Sequence, residues 1–222
     1  MAHLIKNQLI NRLTDAQLER LGKQYARGRL IDVGCGDKQY ESLFRPFVSE
    51  HVGVDHPDTQ HDRAKADILS SGYEIPVPAA SFDTVLFTSV LEHMEDPERA
   101  LRECARVLKP GGSMIFLIPF IWHVHEAPRD FFRYTPIGIE YLLNKTGFKV
   151  RDLVPVCGFW GTFGQLFAYK LYKYRPLTRR HVLGLTDKIA LLVQLGAYVM
   201  DRVDFDRDWA ASFAGAAERI AP

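Results

Sequence analysis

Leu30-Ile-Asp-Val-Gly-Cys-Gly-Asp37 is the stretch whose reading decides the fold. Leu30 to Val33 is a short apolar run interrupted only by Asp32, the pattern of a buried strand. Gly34 and Gly36 follow at once and allow a tight turn in which backbone passes close to a ligand. A second strand-like run, Val52-Gly-Val54, ends on Asp55. Strand, glycine turn, helix, strand and acid, in that order, make a nucleoside-binding βαβ unit.

Outward from this unit, strands and helices alternate. Leu4, Ile5, Leu9, Leu13, Leu18 and Leu21 recur at helical spacing over residues 4–27, and Thr14 or Asp15 can cap a second helix there. Residues 56–81 are loop-rich, broken by Pro57, Pro76 and Pro78, with Asp67-Ile68 ending a short strand. Phe82–Phe87 reads as a strand. Asp96-Pro97 then opens a helix with an apolar stripe of Ala100, Leu101, Cys104, Ala105 and Leu108. Lys109-Pro-Gly-Gly112 stops that helix and turns the chain into Ser113–Phe120, an apolar strand buried on both faces. Thr135 caps a helix over Pro136 to Lys145, Lys149–Val156 is a strand, and Ser212–Ile220 closes the series. This rhythm predicts one α/β domain over 1–222, a doubly wound, mostly parallel Rossmann-like sheet with helices on both faces. The aromatic- and aliphatic-rich segment 159–203 breaks the rhythm as a helical insertion before the final strand.

The bulk composition narrows the class. An apolar fraction of 47% and a charged fraction of 25% are those of a globular protein. A net charge of +1 gives no global reason to bind nucleic acid. The three cysteines, Cys35, Cys104 and Cys157, are scattered and read as reduced thiols of a cytoplasmic protein. The beginning of the chain does not read as a signal peptide. The apolar run Ile189–Met200 is too short for a span of roughly 20 residues.

Two cofactor classes compete for the glycine turn. A dinucleotide needs a third glycine where Gln39 stands, and the acid Asp32 would repel its pyrophosphate. S-adenosylmethionine carries no phosphate, and its ammonium, ribose diol and adenine want acceptors. Asp32 can meet the ammonium, Asp55 the ribose and Asp67 the adenine amino group, with Ile68 packed on the ring. At these residues the chain resembles the class I S-adenosylmethionine-dependent methyltransferases, in their type 11 form. Leu30–Asp37 resembles the family's first motif, Val54-Asp55 its second and Asp67-Ile68 its adenine motif. Thr88-Ser-Val-Leu-Glu-His93 resembles the loop lining the cofactor, and Ala105–Gly112 the approach to the fifth strand. The resemblance covers roughly residues 25–150. It implies a cofactor set of Asp32, Gly34, Cys35, Gly36, Asp55, His56, Asp67, Ile68, Thr88 and Ser89. One departure stands out: Lys38 replaces a glycine common in the family, which is expected to rule out the most compact turn.

Acceptors in open α/β sheets lie outside the carboxyl ends of the strands. There the loop Ile121–Thr135 is dense in titratable groups. An oxygen acceptor must lose a proton, and His125 and His123 are the candidate bases, with Asp130 or Glu126 as orienting partner. Arg129, Arg133 and Tyr134 are candidate acceptor contacts, although Asp130 and Arg133 can equally pair to pin the loop. His93 reads as a capping or packing residue, and His51, His56 and His61 as surface histidines. His123-x-His125 lacks a third ligand at defined spacing, so no metal is expected. In the insertion, Lys170, Lys173, Arg175, Arg179 and Arg180 follow Phe159, Trp160, Phe163 and Phe167. This stretch is expected to be a lid, with peripheral membrane contact or a homodimer interface as other readings. The function expected is methyl transfer to a small-molecule or glycan- or lipid-linked acceptor, at oxygen. The alternatives are a catalytically silent cofactor-binding subunit and, against the missing glycine, a dehydrogenase.

Overall fold

The computed structural model describes residues 5–59, 62–174 and 184–220, with Arg63 by its backbone alone. His61, Arg175, Arg179 and Arg180 therefore lie outside the described residues. The chain folds as two compact units. The larger comprises Leu18–Pro119, His123–Val154 and Phe213–Pro222; the smaller comprises Met1–Gln17, Phe120–Trp122 and Pro155–Ser212.

The elements run α1 (Gln8–Tyr25), β1 (Arg29–Val33), α2 (Glu41–Phe44), β2 (Glu50–Asp55), β3 (Ile68–Leu69), β4 (Phe82–Thr88) and α3 (Pro97–Val107). They continue β5 (Leu108–Pro119), α4 (Pro136–Lys145), β6 (Phe148–Pro155), α5 (Phe159–Tyr172), α6 (Leu185–Val203) and β7 (Ser212–Arg219). The seven strands form one sheet in the order β3-β2-β1-β4-β5-β7-β6. The pairs β1/β2, β1/β4, β2/β3 and β4/β5 are parallel. Strand order therefore reverses between β1 and β4, the switch point at which a doubly wound sheet opens a crevice. Leu30, Ile31, Val85, Leu86, Ile115 and Phe116 are buried there, as strands covered on both faces require.

Two boundaries differ from the sequence expectation. Residues 8–25 form one continuous helix, not two, because Thr14 is buried in its interior and caps nothing. Lys109–Gly112 does not end a helix before a separate strand. Leu108 already pairs with Phe82, and Ser113 with Thr84, so the segment is a bulge inside β5. Gly111 supplies the positive φ, 73°, that the bulge needs. Elsewhere the local signals hold. The Asp96 carboxylate accepts from the Arg99 amide at 3.0 Å, and the Thr135 hydroxyl accepts from the Gly138 amide at 3.0 Å.

In the smaller unit, α5 and α6 pack together. A Cβ on Gly164 would stand 2.7 Å from that of Ala197, so only glycine permits the close approach. The buried Asp201 carboxylate on α6 accepts from the amides of Gly158, Trp160 and Gly161 at 2.9, 3.0 and 3.1 Å, capping the start of α5. Phe159, Phe163 and Phe167 stack in an exposed ladder, with ring centroids 6.4 and 6.1 Å apart. No helix among the described residues is long and apolar enough to cross a membrane. Asp201→Ala leaves three amides without their acceptor and should lower stability by about 2 kcal/mol. Urea unfolding measures this, and an unchanged midpoint would mean that other groups satisfy those amides.

Candidate active site

The crevice at the switch point is a cavity of about 520 Å³ within the larger unit, a size that suits a nucleoside-sized ligand. Its floor is the turn after β1. The amides of Gly34 and Cys35 both donate to the Val54 carbonyl, at 2.8 and 3.0 Å. Gly34 sits at φ +75°, and a Cβ there would stand 2.3 Å from Val90 Cγ2, so both the backbone and the space demand glycine. Asp55, at the end of β2, fastens the turn from the side. Its Oδ2 accepts from the Gly36 amide and the Thr59 hydroxyl, each at 3.1 Å, and its Oδ1 accepts from the His56 amide at 2.7 Å.

Of the expected cofactor residues, Gly34, Cys35, Gly36, Asp55, His56, Thr88 and Ser89 line the cavity. Asp32, Asp67 and Ile68 are not among its lining residues. Asp32 is buried, with its Oδ2 3.1 Å from His51 Nε2 and its Oδ1 without a hydrogen-bond partner among the described residues. Burial raises the Asp32 pKa, against the lowering effect of His51. The Asp67 carboxylate is committed elsewhere, accepting from Lys38 Nζ at 2.6 Å and from the Gly53 amide at 2.7 Å. Ser70, Ser71 and Gly72 reach the cavity where Asp67 and Ile68 were expected. The strand β3 begins only at Ile68, which leaves Asp67 in the preceding loop, facing Lys38.

Lys38 corrects a second expectation. It adopts φ +51°, the left-handed conformation a glycine would take, so the turn keeps its compact path. The lysine stem is the neighbour that Gly53 must accommodate, since a Cβ on Gly53 would stand 2.4 Å from Lys38 Cε. The ion pair to Asp67 offsets a conformational cost of roughly 1–2 kcal/mol. Lys38→Ala keeps the strained φ and loses the pair, whereas Lys38→Gly loses the pair and relieves the strain. Lys38→Gly is therefore expected to be the more stable of the two by about 1 kcal/mol in thermal unfolding. Equal stabilities would contradict the strain.

The loop after β5 reaches the same cavity, but not through the residues expected to do chemistry. Glu126, Pro128 and Arg129 line the cavity; His123, His125, Asp130, Arg133 and Tyr134 do not. Asp130 and Arg133 pair in two contacts of 2.6 and 2.8 Å, and Arg133 Nη2 also donates to the His123 carbonyl at 2.9 Å. The pairing holds the Asp130 carboxyl far below the usual carboxylate range. These contacts pin the loop. Tyr134 is buried, its hydroxyl donating to the Leu91 carbonyl at 3.3 Å, with its pKa raised by burial. Neither Arg133 nor Tyr134 is among the residues lining the cavity.

Sequence reasoning placed Glu92 and His93 in the loop expected to line the cofactor but gave neither a chemical role. They form a short 3₁₀ turn after β4, Leu91–His93, and His93 lines the cavity. The Phe131 and Phe132 amides donate to the Glu92 carbonyl at 2.9 and 3.2 Å, which brings the two loops together. His125 consequently packs edge-on against His93, with ring centroids 4.7 Å apart. Glu92 is fully buried, and neither of its carboxylate oxygens has a hydrogen-bond partner among the described residues. Burial pushes its carboxyl up to about 8, against the opposing effects of its own amide and the Arg133 charge. Burial and the neighbouring His93 lower the His125 pKa. The available signal was topological: β4 and β5 are adjacent parallel strands, so the loops leaving their carboxyl ends must meet.

A glycine turn at the switch point and an acid closing β2 are the features of a nucleoside-binding domain. Residues 31–116 match the model of the family described as "Methyltransferase domain", which supports a class I S-adenosylmethionine-dependent methyltransferase domain over that stretch. Over 129 residues it is 30% identical to a ubiquinone biosynthesis O-methyltransferase of Marinobacter nauticus, covering 52% of this chain and 52% of that one. The chain thus spans about half the length of that relative. A protein of the same name from Stutzerimonas stutzeri is 25% identical over 75% of this chain and 77% of its own. Among solved structures, a SAM-dependent methyltransferase from Archaeoglobus fulgidus has the same fold. Its TM-score is 0.60 at 18% identity, over 99% of this chain and 100% of that one.

Asp55→Ala removes the acceptor that orders the turn, and should weaken S-adenosylhomocysteine binding at least about tenfold, as the loss of one charge-assisted hydrogen-bond site implies. Calorimetric titration reads this, and unchanged affinity would remove Asp55 from the cofactor site.

Proposed function

We propose that this domain transfers a methyl group from S-adenosylmethionine to a hydroxyl oxygen of an organic acceptor. The observation that carries this reading is the asymmetry of the cavity. On the β1–β2 side, Asp55, glycines and other small residues line it, which suits a nucleoside. On the β4–β5 side stands His93, backed by Glu92 and His125. Both methyl donor and proton-handling groups thus have a place, as transfer to oxygen requires.

The chemistry asks different things of the two sides. The sulfonium already activates the methyl group, so the cofactor side needs only to position it and exclude water. The acceptor oxygen must give up a proton before or as it attacks, and this side carries the perturbed groups. The electron pair of the breaking carbon–sulfur bond returns to sulfur, and the products are the methylated oxygen and S-adenosylhomocysteine. The names of the Marinobacter and Stutzerimonas relatives support oxygen as the methylated atom.

The exposed Phe159–Phe163–Phe167 ladder, with Lys170 and Lys173 exposed beyond it, favours an acceptor carried on or in an anionic lipid surface. Co-sedimentation with phosphatidylglycerol vesicles should be lost in a Phe163→Asp, Phe167→Asp double variant. Sedimentation unchanged by those substitutions would remove the ladder from that role.

Binding of S-adenosylhomocysteine and not of NAD is the first expected outcome in calorimetry; the reverse would overturn the reading. With a hydroxylated acceptor found by labelled-methyl transfer, His93→Ala should lower kcat by about 10²–10⁴-fold and leave cofactor affinity unchanged. Cofactor binding with no transfer to any hydroxylated compound would instead identify a silent subunit.

A further inference from the structure

We propose that Glu92, His93 and His125 bind a divalent transition-metal ion beside the cofactor cavity. The three residues come from two loops, and one ligand atom of each lies within 4.8 Å of the others. Glu92 Oε1 is 3.7 Å from His93 Nε2 and 3.9 Å from His125 Nε2. Those separations are too long for hydrogen bonds. They are close to the spacing of atoms that share an ion: two ligands each ~2.1 Å from a tetrahedral zinc stand about 3.4 Å apart. Closing the site therefore asks each imidazole to approach the Glu92 carboxylate by roughly half an ångström or less.

The surroundings orient both histidines for this purpose. His93 Nδ1 is 2.6 Å from the Arg129 carbonyl, which can only accept, so Nδ1 carries the hydrogen and Nε2 presents a lone pair. His125 Nδ1 faces the His123 carbonyl at 3.3 Å, Arg133 Nη2 at 3.4 Å and Asp130 Oδ2 at 3.5 Å, and its Nε2 stands 3.9 Å from Glu92 Oε1. A carbonyl or carboxylate behind each ring is the usual support of a metal-binding imidazole. Glu92 is the independent sign of a ligand: a fully buried carboxylate, aimed between the two rings, with both oxygens unpartnered among the described residues. Such a group is costly to bury and is normally paired or metal-bound. Two imidazoles and one carboxylate suit Zn²⁺, Mn²⁺ or Fe²⁺ better than Mg²⁺, which prefers oxygen ligands.

The ion's open side would face the cavity, because His93 is a lining residue and Glu126, 3.9 Å from His93 Nε2, is another. An acceptor hydroxyl bound there would lose its proton to water at lower pH and attack as the oxyanion. This last role rests on the methyl-transfer reading above; the binding of the ion does not.

The test uses the full chain, stripped with a chelator and dialysed, and titrated calorimetrically with ZnCl₂, MnCl₂ and MgCl₂. One Zn²⁺ or Mn²⁺ per chain is expected, with Mg²⁺ weaker. Glu92→Gln, which preserves shape, and His125→Ala should each weaken that binding by a hundredfold or more. The metal-free variants should keep the wild-type affinity for S-adenosylhomocysteine, which shows that they are folded. Absence of stoichiometric Zn²⁺ or Mn²⁺ binding, or binding unchanged in both variants, overturns the proposal. Because S-adenosylhomocysteine is titrated into the same samples, a failed metal site and a failed methyltransferase reading give different results.

Discussion

One carboxylate holds the cofactor side of this molecule together. Asp55 accepts from the amide of Gly36 in the turn after β1, and from His56 and Thr59 in the loop after β2. Both loops leave the same edge of a parallel pair, where orphaned amides would otherwise depend on water. The acid joins them, and the Val54 carbonyl completes the fastening by accepting from Gly34 and Cys35. The left-handed φ values at Gly34, Gly36 and Lys38 are conformations that such fastening has to impose. The shape of the cavity floor therefore follows from a few hydrogen bonds anchored at the end of β2.

The acceptor side is built on the opposite principle. Backbone groups there are well satisfied, with the Glu92 carbonyl taking two amides and the Asp130–Arg133 pair gripping the loop after β5. Among the described residues of that side, the buried side chain left without a hydrogen-bond partner is Glu92. A rigid frame around an unpartnered carboxylate is not what stability alone would retain, since removing such a group is close to neutral or favourable. Strain and perturbed protonation of this kind collect where function requires them.

The fold was legible because a parallel sheet imprints itself on sequence as buried apolar runs separated by helices. The glycine turn and Asp55 were equally legible, as they lie in one βαβ unit. Side-chain direction was not. Asp32 lies one residue from Val33, which lines the cavity, yet alternate residues of a strand face opposite sides, and Asp32 turns to His51. Asp67 was lost to a neighbour that the linear sequence does not bring near it: Lys38 claims the carboxylate. That same ion pair explains how a lysine can occupy a glycine's conformation. The neighbours of His93 were hidden for a related reason. Read locally it follows a strand into a turn; only the pairing of β4 with β5 supplies His125 as its neighbour.

On the proposed function, the two sides of the cavity divide the chemical labour in a way that their construction explains. A sulfonium donor is reactive before it binds, so a site made of fixed amides and one buried-edge acid suffices to hold it at a defined place. A hydroxyl acceptor is not reactive until its proton is removed, and that requires a group whose protonation or charge differs from its value in water. Burial alone can raise the Glu92 pKa, but a neutral carboxylic acid is a poor acceptor of a proton. With the ion proposed above beside it, Glu92 would carry its charge. The frame that keeps Glu92 dry and both imidazoles turned toward it is then the means by which an otherwise costly charge becomes usable at the edge of the cofactor cavity.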